Sequence, residues 1–305
     1  MVQVNNPRAG VATSSAGSRY WRAKAAYLGV LPFLFFSGIF LLYPTFNVIT
    51  GAFKNQENKF STKVFMGVVR DPITHHAFSN SLEISLKTAI GGSILGGLFA
   101  WAMVTGKKKG FFYRVTVSLS SVLAQFGGVM LTFAFLATFG FNGIVATLAL
   151  KFLPNSPLAD SSWLYGLNGL TVVYTFFQIP LMVLVFLPTI ENMRPQWREA
   201  SDSLGGSSRE YWQRVGIPVL TPSFAGAALL LFVNSFSAYA TAATLINLSS
   251  FLTPLQIATA LSSETGGANP AEAKALSVLM VLVVAIVMTL YALLRKKVTK
   301  WEQGR

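Results

Sequence analysis

Six long stretches of this 305-residue chain contain no charged side chain, and they constrain the fold more than any other feature. A helix that crosses the hydrocarbon core of a bilayer needs about 20 mainly apolar residues. A charged side chain at the bilayer centre costs about 2.5–3.5 kcal/mol on insertion scales, so spanning helices avoid charge. Six transmembrane helices are therefore the simplest prediction. The charge-free runs are Ala25–Phe53, Thr88–Gly106, Val115–Leu150, Ser161–Ile190, Val215–Ser263 and Ala275–Leu294.

Composition agrees with an all-α membrane protein, because only 11% of the residues are charged, against about 25% in soluble domains. The run Val215–Ser263 is long enough for two spans, so seven helices stay open, although the other runs favour six. We expect a second span that begins near Asn80 and ends by Gly106. The other spans are expected near Ala26–Ile49, Val115–Phe139, Leu170–Ile190, Pro222–Leu245 and Leu276–Leu294.

Most of the 24 Lys and Arg residues lie in four segments on alternate sides of these spans. Short segments rich in Lys and Arg remain in the cytoplasm. We therefore expect both termini, and the polar segment 191–218 between the fourth and fifth spans, to be cytoplasmic. The basic residues are Arg8, Arg19, Arg22 and Lys24; Lys107, Lys108, Lys109 and Arg114; Arg194, Arg198, Arg209 and Arg214; and Arg295, Lys296, Lys297, Lys300 and Arg305.

Several kinds of chemistry have no sequence support. The net charge of +13 follows from membrane topology, so nucleic-acid binding is not expected. Cysteine is absent, and Gly106-Lys107 lacks the upstream glycine of a phosphate-binding loop. His75-His76 has no carboxylate at a metal-binding spacing. We expect no catalytic residue, no metal and no cofactor bound by this chain, and hence no enzyme.

The segment 191–218 has the signals of two short helices joined by a tight turn. Pro195 suits a first helical position, and Gly205 suits the left-handed position that ends a helix. Ser207 and Glu210 fit a capping box for the second helix. Such a helix-turn-helix under the bilayer can dock into a groove on a cytoplasmic partner. Its apolar face, at spacings of i, i+3 and i+7, consists of Trp197, Ala200 and Leu204.

At these residues the sequence resembles the permease subunits of type I ABC importers, which carry a loop of the form E-A-A-x3-G-x9-I-x-L-P. Glu199 and Ala200 match, Ser201 replaces the second Ala, and Gly205 stands at the required place. Val215, Ile217 and Pro218 fill the end of the pattern conservatively. The resemblance covers roughly residues 80–294 and is greatest to the spermidine/putrescine-like branch.

This resemblance implies a function and partners. The segment 191–218 is then a coupling loop, in which Trp197, Glu199, Ala200, Ser201, Leu204 and Gly205 meet an ATPase. Such a permease forms half of a pathway with a second permease subunit, two cytoplasmic ABC ATPase copies that use ATP, and an extracytoplasmic binding protein. The expected location is the bacterial plasma (inner) membrane. The domains are then a tail at 1–24, a permease domain at 25–294 and a tail at 295–305.

The resemblance implies import of a small solute, with a polyamine-like solute favoured and phosphonate, iron or sugar as alternatives. An ion-coupled secondary transporter is the alternative function. It would need acidic residues within the membrane, and only Glu83 lies near a span. An intramembrane enzyme would need a catalytic cluster that the sequence lacks.

Polar side chains in the spans are candidates for the translocation pathway, because such side chains usually face a bundle interior or a water-filled route. Four of them form a stripe on the fifth span, at spacings of i, i+3, i+7 and i+10, and helix–helix hydrogen bonding is the other interpretation. Gln178 is a weaker candidate, and Glu83 is either in an outer ion pair with Lys87 or near an outer gate. The stripe is Asn234, Ser237, Thr241 and Thr244. Separately, Gly92, Gly96 and Ala100 predict a close helix contact.

Overall fold

The computed structural model describes residues 30–54, 59–106, 110–152, 156, 160–246, 252–262 and 269–303. These residues form helices and no β-strand, apart from an isolated bridge between Lys54 and Phe60. In this described part, six helical stretches are long and apolar enough to cross a membrane, which confirms the predicted all-α fold with six spans. They are Val30–Gly51, Pro72–Thr105, Val129–Phe152, Leu167–Glu191, Ser208–Phe236 and Pro270–Leu293.

The chain divides into two compact units, residues 1–51 and 52–305. The first unit contributes helix α1, Val30–Gly51, whose segment Gly38–Leu42 is π-helical. Pro44 follows this segment and has no N–H to donate to the carbonyl four residues back, so the helical ladder is disturbed there. The predicted tail at 1–24 lies outside the described residues.

The second unit is built around α3, which packs mainly on α7 and α10, while α4 packs on α7. Asp71 caps α3 by accepting from the backbone N–H groups of Ile73 and Thr74, with Pro72 at the first helical position. The helices are α2 Lys63–Arg70, α3 Pro72–Thr105, α4 Phe111–Gln125, α5 Val129–Phe139, α6 Ile144–Phe152, α7 Leu167–Glu191, α8 Pro195–Ser203, α9 Ser208–Tyr211, α10 Ile217–Phe236, α11 Ala240–Leu245, α12 Thr253–Leu261 and α13 Pro270–Gln303.

Glycines let α3 and α7 approach closely. A Cβ added at Gly92 would lie 2.5 Å from the Cβ of Gln178, and one at Gly96 would lie 2.6 Å from the Cβ of Met182. Ala100, one turn further, is fully buried. Small side chains therefore set the distance between the two helices, which confirms the predicted contact.

Two of the predicted spans are interrupted in the structure. The segment Val115–Phe139 breaks between α4 and α5, where Gly128 adopts a positive φ of 70°. The segment Pro222–Leu245 breaks between α10 and α11, where the hydroxyl of buried Tyr174 donates to the carbonyl of Ala238 at 2.7 Å. A side chain from another helix thus satisfies a carbonyl that the break releases.

The boundaries of two other segments also differ from the sequence prediction. The third apolar stretch runs from Val129 to Phe152, because Ile144–Phe152, expected outside the membrane, is an apolar helix. The last helix, α13, continues to Gln303, so the backbone of the predicted tail is helical up to that residue.

Candidate functional site

The coupling loop, residues 191–218, begins with α8, which has Pro195 at its first position. Helix α8 ends in a Schellman motif. The N–H of Gly205 donates to the carbonyl of Asp202 at 3.0 Å, and that of Gly206 donates to the carbonyl of Ser201 at 2.9 Å. Gly205 has φ 76°, the left-handed conformation that the sequence predicted for it.

Gly206 is a second glycine that this turn requires, and the sequence prediction missed it. A Cβ at this position would lie 2.7 Å from the Oγ of Ser201 and 2.9 Å from its carbonyl oxygen. Any larger side chain would therefore press against the last turn of α8. The Gly-Gly pair in the sequence was the available signal, since both residues that follow a helix end were glycine.

The second arm of the coupling loop begins with the predicted capping box. Ser207 Oγ accepts from the backbone N–H of Glu210 at 3.3 Å, and the Glu210 carboxylate accepts from the backbone N–H of Ser207 at 2.9 Å. Helix α9 then passes through a π-helical turn, Trp212–Gly216, directly into α10. The loop is thus joined to a span without an intervening flexible segment.

Aromatic side chains connect the coupling loop to the helix bundle. The guanidinium of Arg198 lies 5.4 Å from the ring centre of buried Tyr211, which packs edge-on against Trp212. The ring centre of Trp212 in turn lies 6.3 Å from the ring centre of Trp101 on α3. A Cβ at Gly216 would lie 2.5 Å from the Trp212 ring, so this glycine leaves room for the indole close to the backbone. These contacts can transmit movement of the loop to α3 and α10.

The outer face of the coupling loop has no partner within the described residues. Helix α8 has nine residues and buries none of them, and Leu204 is 89% exposed. A helix this short is marginal in water without tertiary packing. Between α8 and the second arm lies a cavity of about 500 Å³. Its lining includes Trp197, Ala200, Ser201, Leu204, Gly205 and Val215. The arrangement is that of a surface that docks on another protein.

The structure brings the predicted coupling residues together. Glu199 and Ala200 are exposed on α8, Trp197 and Ser201 are half-buried, and Leu204 lies at the turn. The geometry of the loop is confirmed, and its role in coupling stays a prediction.

The predicted pathway residues are not brought together. Because the helix breaks after Phe236, the proposed continuous stripe is wrong: Asn234 and Ser237 are exposed, whereas Thr241 is buried on α11. Thr241 uses its carbonyl to accept from the hydroxyl of Thr132, at 3.4 Å. Thr244, also in the stripe, is half-buried.

Gln178 is fully buried and ties three helices together. Its Nε2 donates to the carbonyl of Leu231 on α10 at 3.0 Å and contacts the Thr88 hydroxyl of α3 at 3.4 Å. Thr88 also shares a 2.8 Å hydrogen bond with Ser235. In this conformation Gln178 therefore acts as a polar link in the core, as interhelical amides do in membrane bundles.

Glu83 takes part in neither the coupling loop nor the Gln178 hydrogen bonds, and it forms a salt bridge with Lys87 one turn further along α3. Both side chains are more than half exposed. Among the described residues there is no group of three or more His, Cys, Asp or Glu side chains that could hold a metal ion.

The chain is similar in sequence to permease proteins of bacterial transport systems. No family model matches it. It is 22% identical over 215 residues to the putative ferric transport system permease protein FbpB 1 of Haemophilus influenzae, covering 70% of this chain and 32% of that protein. It is 24% identical over 189 residues to the sulfate transport system permease protein CysT of Salmonella typhimurium, covering 60% of this chain and 63% of that one. The chain thus spans about a third of the length of the ferric relative.

Solved structures show the same fold over nearly the whole chain. A chain of a bacterial ABC transporter involved in the import of the acidic polysaccharide alginate superposes with a TM-score of 0.71 at 16% identity, covering 92% of this chain and 99% of that one. A chain of a bacterial alginate ABC transporter in complex with an alginate pentasaccharide-bound periplasmic protein also superposes with a TM-score of 0.71, at 15% identity. The chain therefore has the fold of ABC transporter permeases.

Proposed function

We propose that this chain is the transmembrane permease subunit of an ATP-driven importer and forms half of a pathway for a small solute. The observation that carries the proposal is the coupling loop, whose helix α8 ends in a Schellman turn, buries no side chain of its own and exposes Leu204. The names of the ferric and sulfate relatives and the shared fold support it.

The coupling loop would dock in a cleft of a cytoplasmic ABC ATPase. Glu199, which is exposed on α8, would accept charge-assisted hydrogen bonds from the ATPase, and these are among the stronger hydrogen bonds. Leu204 and Trp197 would supply the apolar contact. Closure of two ATPase copies on ATP would then move the loop, and the Trp212–Trp101 contact would carry that movement into the spans.

The complete importer would contain a second permease subunit, two ATPase copies and an extracytoplasmic binding protein in the bacterial plasma membrane. The structural relative in complex with a periplasmic protein supports the last partner. Both termini of this chain would lie in the cytoplasm, as the distribution of basic residues predicts.

Asn234 and Ser237 would line the translocation pathway. They are exposed polar side chains at the interrupted end of α10, and irregular backbone at membrane depth occurs where it is buried in protein or lines a water-filled cavity. Thr241 and Gln178 would instead hold the helices around that route.

The proposed substrate class is a small solute. The relatives' names include iron and sulfate, and a polyamine-like solute stays a candidate beside them. The run Val215–Ser263 has no carboxylate, so α10 and α11 would offer a cationic substrate hydroxyl and amide groups only. An ion-coupled secondary transporter is not favoured, because it would need a coupling carboxylate within the membrane, and Glu83 of α3 is instead exposed and paired with Lys87.

Reconstitution tests this function. The chain, co-expressed with the permease and ATPase subunits of its own operon, should purify as a complex with two ATPase copies by native mass spectrometry. In proteoliposomes that complex should hydrolyse ATP. A chain that purifies alone and transports solute with an ion gradient but no ATP would contradict the proposal.

A further inference from the structure

A second surface on the helix bundle has features of a binding site. Helices α3, α10 and α13 enclose a groove of about 280 Å³, and every side chain that lines it is apolar. Leu86 and Ile90 form one wall, with 55% and 51% of their surfaces exposed. Ala228 and Phe232 of α10 form the floor, and Val287 closes the other side.

An exposed ion pair lies at one end of this groove. Glu83 and Lys87 pair one turn apart on α3, with side chains 57% and 58% exposed. At about 100° per residue, both share a helix face with Leu86 and Ile90. The pair therefore stands directly beside the groove wall, on the same side of α3.

The depth of the pair in the bilayer follows from the length of α3. The helix has 34 residues and is about 51 Å long, whereas the hydrocarbon core needs only about 20 residues. Counting about 20 residues back from its cytoplasmic end, Thr105, reaches Leu86. Glu83 and Lys87 thus lie at the outer boundary of the hydrocarbon, and the groove extends from there toward the middle of the bilayer, where Ala228 and Val287 lie.

The groove also opens away from the proposed pathway. On α10, Phe232 and Asn234 point in directions about 160° apart around the helix axis. If Asn234 faces the pathway, the groove faces the surrounding bilayer. A dry groove below a zwitterionic pair at the membrane boundary matches a lipid, which has an apolar chain below a charged headgroup.

We propose that this groove binds a phospholipid with a primary amine headgroup, of the phosphatidylethanolamine class. One acyl chain would fill the groove between α3 and α10. Lys87 has three donors and uses one on Glu83, so it can also donate to the lipid phosphate. The Glu83 carboxylate keeps free acceptor sites for the lipid ammonium. A choline headgroup has no N–H to donate to Glu83, and an anionic headgroup without an amine would place its phosphate near the Glu83 carboxylate with no ammonium between the two negative groups.

Native mass spectrometry of the purified complex tests the site with three lipids that have the same acyl chains. These are phosphatidylethanolamine, phosphatidylcholine and phosphatidylglycerol. We expect one tightly bound phosphatidylethanolamine per chain. Ala228→Phe, which fills the groove, should weaken its binding about tenfold, as expected for losing the burial of two methylenes. Leu98→Phe, at an exposed position of α3 outside the groove, should leave binding unchanged.

The headgroup and the acyl chain can be tested separately. Replacing the pair, by Glu83→Gln with Lys87→Gln, should abolish the preference for ethanolamine over choline without changing thermal stability. A bimane label on Leu86→Cys, in a chain without native cysteine, should be quenched by lipids with brominated acyl chains. Equal binding of all three lipids by the wild-type complex would overturn the proposal. So would an unquenched label that instead cross-links to the second permease, because the groove would then be a protein interface.

Discussion

Replacing Gly205 by valine should uncouple ATP hydrolysis from transport while the bundle stays intact. Gly205 has φ 76°, and a Cβ there would meet no atom within 4 Å. The whole cost is therefore conformational: about 1–2 kcal/mol for an ordinary residue in this region, and more for a β-branched one. Asparagine tolerates the left-handed conformation, so Gly205→Asn is the matched control.

The size of the effect follows from how little else holds α8 in place. Because α8 buries no side chain, its end geometry depends on the Schellman turn and the Arg198–Tyr211 contact. A cost of about 2 kcal/mol would lower the ratio of correctly ended to incorrectly ended α8 about 30-fold. Docking on the ATPase would weaken in proportion to the loss of the correctly ended conformation, since only that conformation is competent to bind.

The assay is ATP hydrolysis and solute uptake in the same proteoliposomes, with the binding protein present. Gly205→Val should retain membrane insertion and thermal stability but lose most uptake per ATP, whereas Gly205→Asn should remain near wild type. Wild-type uptake and normal stimulation in the valine variant would refute the reasoning, because the turn would then not matter for coupling.

Three further predictions concern the bundle. Gly96→Leu should destabilise the chain by about 1–3 kcal/mol in thermal unfolding, because it overpacks the contact with α7. The control Gly91→Ala, whose Cβ would lie 3.5 Å from Thr175, should be neutral. Equal stability of the two variants would contradict the packing account. Asn234→Cys should react with a small thiol reagent in one nucleotide state, whereas Thr241→Cys should not; inertness of the first in every state would favour helix packing. Gln178→Leu should lower thermal stability by about 1–2 kcal/mol, since it removes an interhelical hydrogen bond in the membrane, and an unchanged melting temperature would show that this link contributes nothing.

The sequence predicted those features that depend on local chemistry. The absence of charge over about 20 residues identifies a span whatever its neighbours are, because the bilayer itself sets the cost. The ends of α8 were also predictable, since a proline without an N–H and a glycine with φ > 0 act within a few residues.

The helix breaks were not predictable, because side chains distant in the sequence stabilise them. The carbonyl of Ala238 is satisfied by Tyr174, which belongs to another helix. With the helix assumed continuous, Thr241 seemed to share a face with Asn234, and the break separates them. The break between α4 and α5 did have a local signal in the sequence, the Gly127-Gly128 pair.

The role of Gln178 also depended on tertiary structure. Polar residues in a span can face a pathway or another helix, and the sequence does not distinguish the two. The close approach at Gly92 places the amide between α3 and α10, where it bonds to a backbone carbonyl.

Site-specific cross-linking tests the central claim, that the coupling loop docks on an ATPase. The chain has no cysteine, so Ala200→Cys on the exposed face of α8 introduces a single thiol. In the assembled complex this thiol should cross-link to the ATPase with a short bifunctional reagent, and the yield should change when ATP is bound. The exposed Ser162, expected on the opposite side of the membrane, provides the control Ser162→Cys, which should give no such product. No cross-link from Ala200→Cys in any nucleotide state would contradict the account.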